Sequence, residues 1–331
     1  MSYKNIYILG VGGSGMSSIA KYLKQKGDNV IGYDQRKSYV TNLLNQDGIK
    51  VVHTLDEITY KPESLYIYSS AIPIESDRFE DFYDKENVLS RPEYLKNLSE
   101  NHKIIGITGT HGKTSTTALL SHIFHFNNVN VSYLYGGITT FNGIGGHYGD
   151  PDQPLILETD EAFNTFEKIK ISDLLVLNVD SDHLDYFKNL DNYKDAFYKV
   201  MKNVTDNLVI NNDDLNIKSM KELKNPVSYG KDISADFKVQ SPGTFIYENN
   251  KYEIKSDIIG DHFKSNMLGA IILAFLNGIE IKDSLNAIES FAGVKRRIEL
   301  IGISKGVLIY DDYGHHPTEM EATITALKQQ T

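Results

Sequence analysis

Residues 103–124 read KIIGITGTHGKTSTTALLSHIF, and this stretch decides the fold. An apolar, β-branched run enters a glycine turn and leaves it as a helical pattern. That grammar is strand, turn, helix, the opening of a βαβ unit. The turn Gly109-Thr110-His111-Gly112-Lys113-Thr114-Ser115 also carries chemistry. Its backbone N–H groups are suited to wrap phosphates. Lys113 brings positive charge toward the β/γ-phosphates, and the Thr114 hydroxyl is a Mg²⁺ ligand by type. The strict G-x-x-x-x-G-K-[ST] pattern fails because Ile107 stands five residues before Gly112, but the shorter G-T-x-G-K-T is complete. A glycine turn with a merely solvated lysine is the competing reading. It does not account for a lysine and hydroxyl placed where a helix N-terminus holds an anion.

Working outward, the same grammar appears at the start of the chain. NIYILG at 5–10 reads as a buried strand, SSIAKYLKQKG as a helix and VIGYD as the next strand. VVHTL, LYIYSSAI and VLSRPEYL continue the alternation to the polar stretch NLSENHK. After residue 124, LILETD and DLLVLNVDSDHLD are strands, NYKDAFYKVMKNV a helix and NLVINNDD a strand. Residues 227–258 shorten into alternating runs, which predicts a small antiparallel sheet. SNMLGAIILAFLNGI and SLNAIESF are helices, and RRIELIG to the end predicts a strand pair and one helix. The fold class expected is α/β, in three parts. Residues 1–100 form a Rossmann-like unit, 101–295 a P-loop ATPase-type unit with a parallel sheet and a small antiparallel one, and 296–331 the beginning of a third Rossmann-like unit.

Length and composition fit this division. At 331 residues the chain exceeds one ordinary domain, and 40% hydrophobic content is enough for sizeable cores. A formal charge of −10, with no Lys/Arg block, argues against a nucleic-acid or anionic-membrane partner. The chain has no cysteine, so disulfides and thiolate metal sites are excluded. No apolar run approaches the roughly 18 residues that span a bilayer. A cytoplasmic protein is expected.

Four further segments carry candidate chemistry. Gly10-Val11-Gly12-Gly13-Ser14-Gly15 is a G-x-G-x-x-G between strand and helix, and Asp34 ends the next strand, where an acid accepts from a ribose hydroxyl. Alone, this would point to NAD. Glu158-Thr159-Asp160-Glu161 and Asp180-Ser181-Asp182-His183 each end a strand, where a parallel sheet faces its ligand crevice. Carboxylates there suit Mg²⁺, whereas a histidine ligand is less usual for it. Either acidic turn taken singly also reads as a solvated loop. The segment Tyr310-Asp311-Asp312-Tyr313-Gly314-His315-His316-Pro317-Thr318-Glu319 follows another strand, and its adjacent histidines make a poor zinc pair. Arg296 and Arg297 precede it, as phosphate ligands or as an interdomain salt bridge.

Together and in this order the motifs resemble the Mur ligases. The matching segments are GVGGSGM at 10–16, SSAI at 69–72, GITGTHGKTSTT at 106–117, ETDE at 158–161, the DH at 182–183, KRRIELIG at 295–302 and DDYGHHPTE at 311–319. The resemblance implies a UDP-sugar domain, a central ATPase domain and a C-terminal domain for the incoming amino acid. It implies ATP and Mg²⁺ as cofactors, and UDP-N-acetylmuramate and L-alanine as substrates of peptidoglycan synthesis, in a monomer or homodimer. By position, it assigns Lys113 and the 109–112 turn to the phosphates, with Thr114 and Glu158 on one Mg²⁺ and His183 on a second. Asn266 falls on the adenine side, Arg297 on the phosphates and Asp312 on the ribose. Gly10, Gly12, Gly13, Ser14, Gly15, Met16, Asp34, Ser69, Ser70 and Ala71 are the candidates for the UDP-sugar. Several relatives carry a carbamylated lysine where this chain has Phe197.

Three departures stand against the pattern. Glu161 is followed by Ala162 and Phe163 rather than Ser-Asp. The motif G-x-H-N-x-x-N reads Gly260-Asp261-His262-Phe263-Lys264-Ser265-Asn266, with its first Asn lost. The third unit stops one helix in, so the chain is expected to bind UDP-N-acetylmuramate yet turn over poorly. A recycling ligase that attaches a tripeptide to the same sugar is a close alternative. An NAD-dependent oxidoreductase and a non-catalytic UDP-sugar binder are alternatives of other classes. The oxidoreductase leaves the second phosphate turn unexplained.

Overall fold

The computed structural model describes residues 3–162, 165–220 and 223–328. Its first sheet contains β1 (Ile6–Leu9), β2 (Val30–Tyr33), β3 (Lys50–Val52), β4 (Leu65–Tyr68) and β5 (Val88–Ser90). All are parallel, in the order β3-β2-β1-β4-β5. The connecting helices are α1 (Ser14–Gln25), α2 (Tyr39–Gln46) and α3 (Arg91–Ser99). β1 is buried along its whole length, as a central parallel strand covered on both faces must be. The strand order reverses at β1, so the turn after β1 and the turn after β4 open side by side. That is where an open α/β sheet places its ligand.

The second sheet runs from β6 (Ile104–Thr108) through β7 (Ser132–Thr139), β8 (Gly143–His147), β9 (Leu155–Glu158), β10 (Asp173–Val176), β11 (Leu208–Asn211), β12 (Val227–Gly230), β13 (Phe237–Ser241) and β14 (Thr244–Tyr247) to β15 (Asn250–Glu253). Its order is β15-β14-β13-β12-β11-β10-β6-β9-β7-β8. The central strand β6 lies between β9 and β10, so the turns after these three strands converge. Around it lie α4 (Lys113–Phe126), α5 (Leu184–Phe187), α6 (Leu190–Lys202), α7 (Leu215–Lys218), α8 (Asp261–Leu276) and α9 (Ile281–Glu289). α8 is apolar all round and buried from Asn266 to Ala274, consistent with a helix packed on every side. Last come β16 (Glu299–Ser304), β17 (Val307–Asp311) and α10 (Pro317–Lys328). The β16–β17 pair stands alone as a two-stranded sheet.

The predicted antiparallel region at 227–258 exists but is not a separate sheet. β12 pairs in parallel with both β11 and β13, and within this region β13–β15 alone run antiparallel, at one edge of the ten-stranded sheet. Tyr229 and Phe237, buried in the same core as β10 and β11, tie the edge to the centre. The sequence reading also missed the β7–β8 hairpin, whose six glycines between 136 and 149 mimic a loop.

That hairpin joins the two large units. α1 packs across β7 and β8. The Lys21 ammonium donates to the Asn142 and Ile144 carbonyls, and Tyr148 N donates to Gln25 Oε1 at 3.0 Å. A Cβ on Gly146 would overlap the Ser18 backbone, so only glycine permits this approach. Core residues from both sheets merge into one cluster that runs from Ile6 to Ile217. No helix among the described residues is long and apolar enough to cross a membrane.

Candidate active site

The phosphate turn is held from below. Thr110 N donates to the Asn178 carbonyl at 3.1 Å, and His111 N to Asn178 Oδ1 at 2.8 Å. Asn178 Nδ2 returns a bond to the His111 carbonyl at 2.9 Å. Gly112 caps α4 with φ of 86°, a left-handed conformation that favours glycine. A side chain there would also collide with Asn266 Nδ2. Lys113 folds back over the turn, and its Nζ donates to the Gly109 carbonyl at 2.7 Å and the Thr110 carbonyl at 3.2 Å. It also lies 3.0 and 2.8 Å from the two oxygens of Glu161, a carboxylate with no exposed surface. Burial works against the Lys113 ammonium, but Glu161, Asp160 and Glu158 outweigh it and hold its pKa above the ordinary lysine value. Burial pushes the Glu161 carboxyl up in turn. With Nζ against both of its oxygens, we read the pair as ionised. Tyr193 donates to Glu161 Oε1 at 3.2 Å and meets Thr110 Oγ1 at 3.0 Å.

One residue along α4, Thr114 Oγ1 donates to Glu158 Oε1 at 2.6 Å. Glu158 Oε2 accepts from Gly136 N, also at 2.6 Å. Gly136 is free to donate because β7 slips register against β8 between Leu134 and Ile138. Both oxygens of Glu158 are therefore engaged inside the protein. A hydroxyl and a carboxylate that share one cleft wall at the phosphate turn are a hard-oxygen donor set of the kind Mg²⁺ takes. His183 stands elsewhere: its Nε2 is 4.0 Å from Glu161 Oε1 and 3.9 Å from Asp182 Oδ2, with φ of 50°.

His111 links the turn to the last segment of the chain. Its Nε2 is 3.2 Å from Asp180 Oδ2 and its Nδ1 is 3.2 Å from Glu319 Oε1. Thr318 Oγ1 donates to the same Asp180 oxygen at 2.8 Å, and the His316 ring lies 4.9 Å from the His111 ring. Burial alone would lower the His111 pKa, but its bonds to Glu319 and Asp180 raise it. The hydrogen bond from His111 holds the Glu319 carboxyl down at about 2.

Two clefts open on these groups. The larger, about 830 Å³, is lined by Gly12, Gly13, Ser14, Gly15 and Met16 after β1, and by Ser69, Ser70 and Ala71 after β4. Thr114, Glu158, Gly136, Arg91 and Arg297 complete its walls. The smaller, about 440 Å³, is lined by His111, Gly112, Ser115, Asn266, Arg297 and Asp312. Arg297 faces both. Gly109, Thr110 and Lys113 line neither cleft.

Three candidates also support the backbone. Gly10, with φ of 79°, closes against Ser69, where a Cβ would come within 3.0 Å of the Ser69 Cβ. Asp34 turns inward: Oδ2 accepts from Gly12 N at 2.9 Å and Oδ1 from Arg36 N at 3.0 Å. Asp312 likewise spends its carboxylate on Ile298 N (2.8 Å) and Gly314 N (2.7 Å), while remaining at the cleft. Phe197 is fully buried between Phe166 and Tyr193, each ring 5.1 Å away. Phe263 lines the smaller cleft where the motif's first Asn would stand, and Phe163 lies outside the described residues.

Sequence reasoning missed Gly136 and Gly137, Asn178, Tyr193 and Arg91. The one available signal was the glycine doublet inside an otherwise strand-like run, which marks a bulge or a close approach.

Comparison with known proteins follows the same division. The Mur ligase middle domain matches residues 107–274, the Mur ligase family catalytic domain residues 5–103 and the Mur ligase glutamate ligase domain residues 296–331. The chain belongs to the Mur ligase family. Among Mur ligases it is 34% identical to a UDP-N-acetylmuramate–L-alanine ligase of Clostridium botulinum, over 98% of this chain and 74% of that one. It is 32% identical to the enzyme of the same name from Cytophaga hutchinsonii, with the same coverage. The crystal structure of UDP-N-acetylmuramate–alanine ligase MurC from Thermotoga maritima superposes with a TM-score of 0.83 at 25% identity, covering 98% of this Mur ligase and 77% of that chain.

Proposed function

We propose that this chain is an ATP-dependent ligase that joins L-alanine to UDP-N-acetylmuramate. One observation carries the reading. The first glycine turn and the Thr114–Glu158 pair of the phosphate turn line the same 830 Å³ cleft. A nucleotide-sugar held by residues 12–16 and 69–71 thus reaches the end of the ATP site.

In this reading residues 1–100 hold the sugar nucleotide, 101–295 hold ATP, and 296–331 begin the part that meets the amine. ATP occupies the smaller cleft, with adenine toward Asn266 and ribose toward Asp312. Its phosphates run over His111 and Gly112 to Lys113 and Arg297. Thr114 and Glu158 would hold Mg²⁺ together with the nucleotide, and the ion would supply positive charge against the phosphates. A substrate carboxylate oxygen attacks the γ-phosphorus, and the bond to the β-phosphate oxygen breaks to release ADP. The uncharged amine of L-alanine then attacks the acyl carbon, losing a proton as the amide forms, and inorganic phosphate leaves. Lys113 and Arg297 stabilise the charge that moves onto the transferred phosphoryl group. His183, beside Glu161 and Asp182, would assist in holding a second metal ion.

The test is product formation from UDP-N-acetylmuramate, ATP, Mg²⁺ and L-alanine, followed by ADP release and mass spectrometry, with a tripeptide in a parallel reaction. An L-alanine adduct supports the reading, and an adduct formed only with the tripeptide makes the chain a recycling ligase. Lys113→Ala should abolish ATP binding while leaving UDP-N-acetylmuramate affinity within threefold. A tenfold loss would overturn the two-site picture.

A further inference from the structure

We propose that Arg91 binds the diphosphate of the nucleotide-sugar, acting with the backbone at the start of α1. The proposal rests on the ligase reading and names a residue that the sequence motifs did not supply.

Arg91 is placed by a local device. Ser90 ends β5 and caps α3: Glu93 Oε2 accepts from Ser90 N at 2.7 Å and from Ser90 Oγ at 2.6 Å. The capping box fixes the first turn of α3, and Arg91 is its first residue. It therefore projects from the C-terminal edge of the first sheet into the large cleft, beside the turn that follows β4.

The guanidinium has no partner there. Among the described residues Arg91 makes no hydrogen bond or ion pair, and its Nε is shut off from solvent. The carboxylates around it are committed elsewhere. Glu93 is spent on the cap, and both Glu158 oxygens are taken by Thr114 and Gly136. An arginine stays charged and carries five N–H donors. A buried donor left without an acceptor is costly in a native protein, and its presence in a cleft marks an absent anion.

The geometry points to which anion. The guanidinium lies flat against Gly15: a Cβ there would sit 2.8 Å from Nε, 3.0 Å from Cζ and 3.1 Å from Nη2. The last glycine of the first turn is thus the residue that admits the arginine. α1 begins at Ser14 with no side-chain cap and no acid in its first turn, so its N-terminal N–H groups face the same space. An arginine fork beside a helix start matches the adjacent oxygens of a diphosphate. The substrate carboxylate belongs further along, at Thr114.

Calorimetric titration of wild type, Arg91→Gln and Arg91→Lys with uridine, UDP, UDP-N-acetylglucosamine and UDP-N-acetylmuramate tests the assignment. Arg91→Gln should weaken all three diphosphates by the same factor, tenfold or more, without changing ATP affinity or uridine binding. Arg91→Lys, which keeps the charge and loses the fork, should fall between. Unchanged UDP affinity in Arg91→Gln overturns the assignment alone. So does a loss confined to UDP-N-acetylmuramate, which would place Arg91 on the carboxylate. If Arg91→Gln fails to fold, the lysine variant decides: equal affinity for UDP in it and in wild type overturns the proposal. A wild-type chain that binds none of the uridine diphosphates overturns the ligase reading, and this proposal with it.

Discussion

Lys113 and Glu161 form a buried ion pair across the phosphate turn, with Nζ 2.8 Å from one carboxylate oxygen and 3.0 Å from the other. Glu161 has no exposed surface, so its removal strands an ammonium in a poorly solvated place. Glu161→Gln should lower folding stability by about 3–5 kcal/mol, the usual effect of unpairing a buried charge. Urea unfolding measures this, and a loss below about 1 kcal/mol would show that the Gly109 and Thr110 carbonyls suffice for Lys113.

Gly137 has no room for a side chain. A Cβ there would lie 2.8 Å from both Thr114 Cγ2 and Val294 Cγ1. Gly137→Ala should displace Thr114 from Glu158 and reduce kcat at least tenfold, since misplacement by about 1 Å can cost 10²-fold in rate. Substrate affinities should change little. An ADP-release assay that returns wild-type turnover would mean the strand yields without moving Thr114.

Each Glu158 oxygen already accepts one hydrogen bond, from Thr114 Oγ1 or from Gly136 N, so Mg²⁺ competes with these donors for the carboxylate. The ion dehydrates reluctantly and recruits phosphate oxygens. Calorimetry should show no Mg²⁺ binding without nucleotide at about 1 mM and clear binding with an ATP analogue. Saturation by Mg²⁺ alone would count against this donor set.

The contact between His111 and Glu319 carries its own pH dependence. The His111 pKa is raised, so its stabilisation is full below about 6.5 and is lost as pH rises through the higher bound-state value. Glu319 is held down at about 2, so its contribution is present above about 4.5 and lost as pH falls toward 2. The contact should therefore be strongest between about pH 4.5 and 6.5. Asp180, His316 and Arg297 are the other charged or titratable groups facing it. An NMR titration should find the His111 midpoint above that of an ordinary histidine, and Glu319→Gln should lower it. An unchanged midpoint in that variant would refute the coupling.

Much of this architecture was legible because it is local. IIGIT before a glycine turn, and NIYILG before another, announce buried parallel strands by composition and length alone. Lys113 and Thr114 follow from the turn they occupy. What escaped depends on approach between distant segments. Glu161 was visible as an acid at a strand end, but its pairing with Lys113 comes from the convergence of β6 and β9. Gly136 and Gly137 stand in a glycine-rich stretch that mimics a loop, whereas Gly136 gives an N–H to Glu158 and Gly137 leaves room for Thr114. Asp34 was read as a ribose acceptor from its place after β2. Its carboxylate also accepts from Gly12 N, a contact set by how tightly the first turn curls.

The hairpin of β7 and β8 makes α1 common property. The helix whose N-terminus faces the sugar cleft is gripped along its length by the nucleotide half of the molecule, through Lys21, Gln25 and the approach to Gly146. Changes in one surface must be answered in the other. Residues 14–25 and 132–148 should therefore diverge in step among relatives, and a chimaera that exchanges the first hundred residues should fold only when the donor's hairpin is exchanged with them.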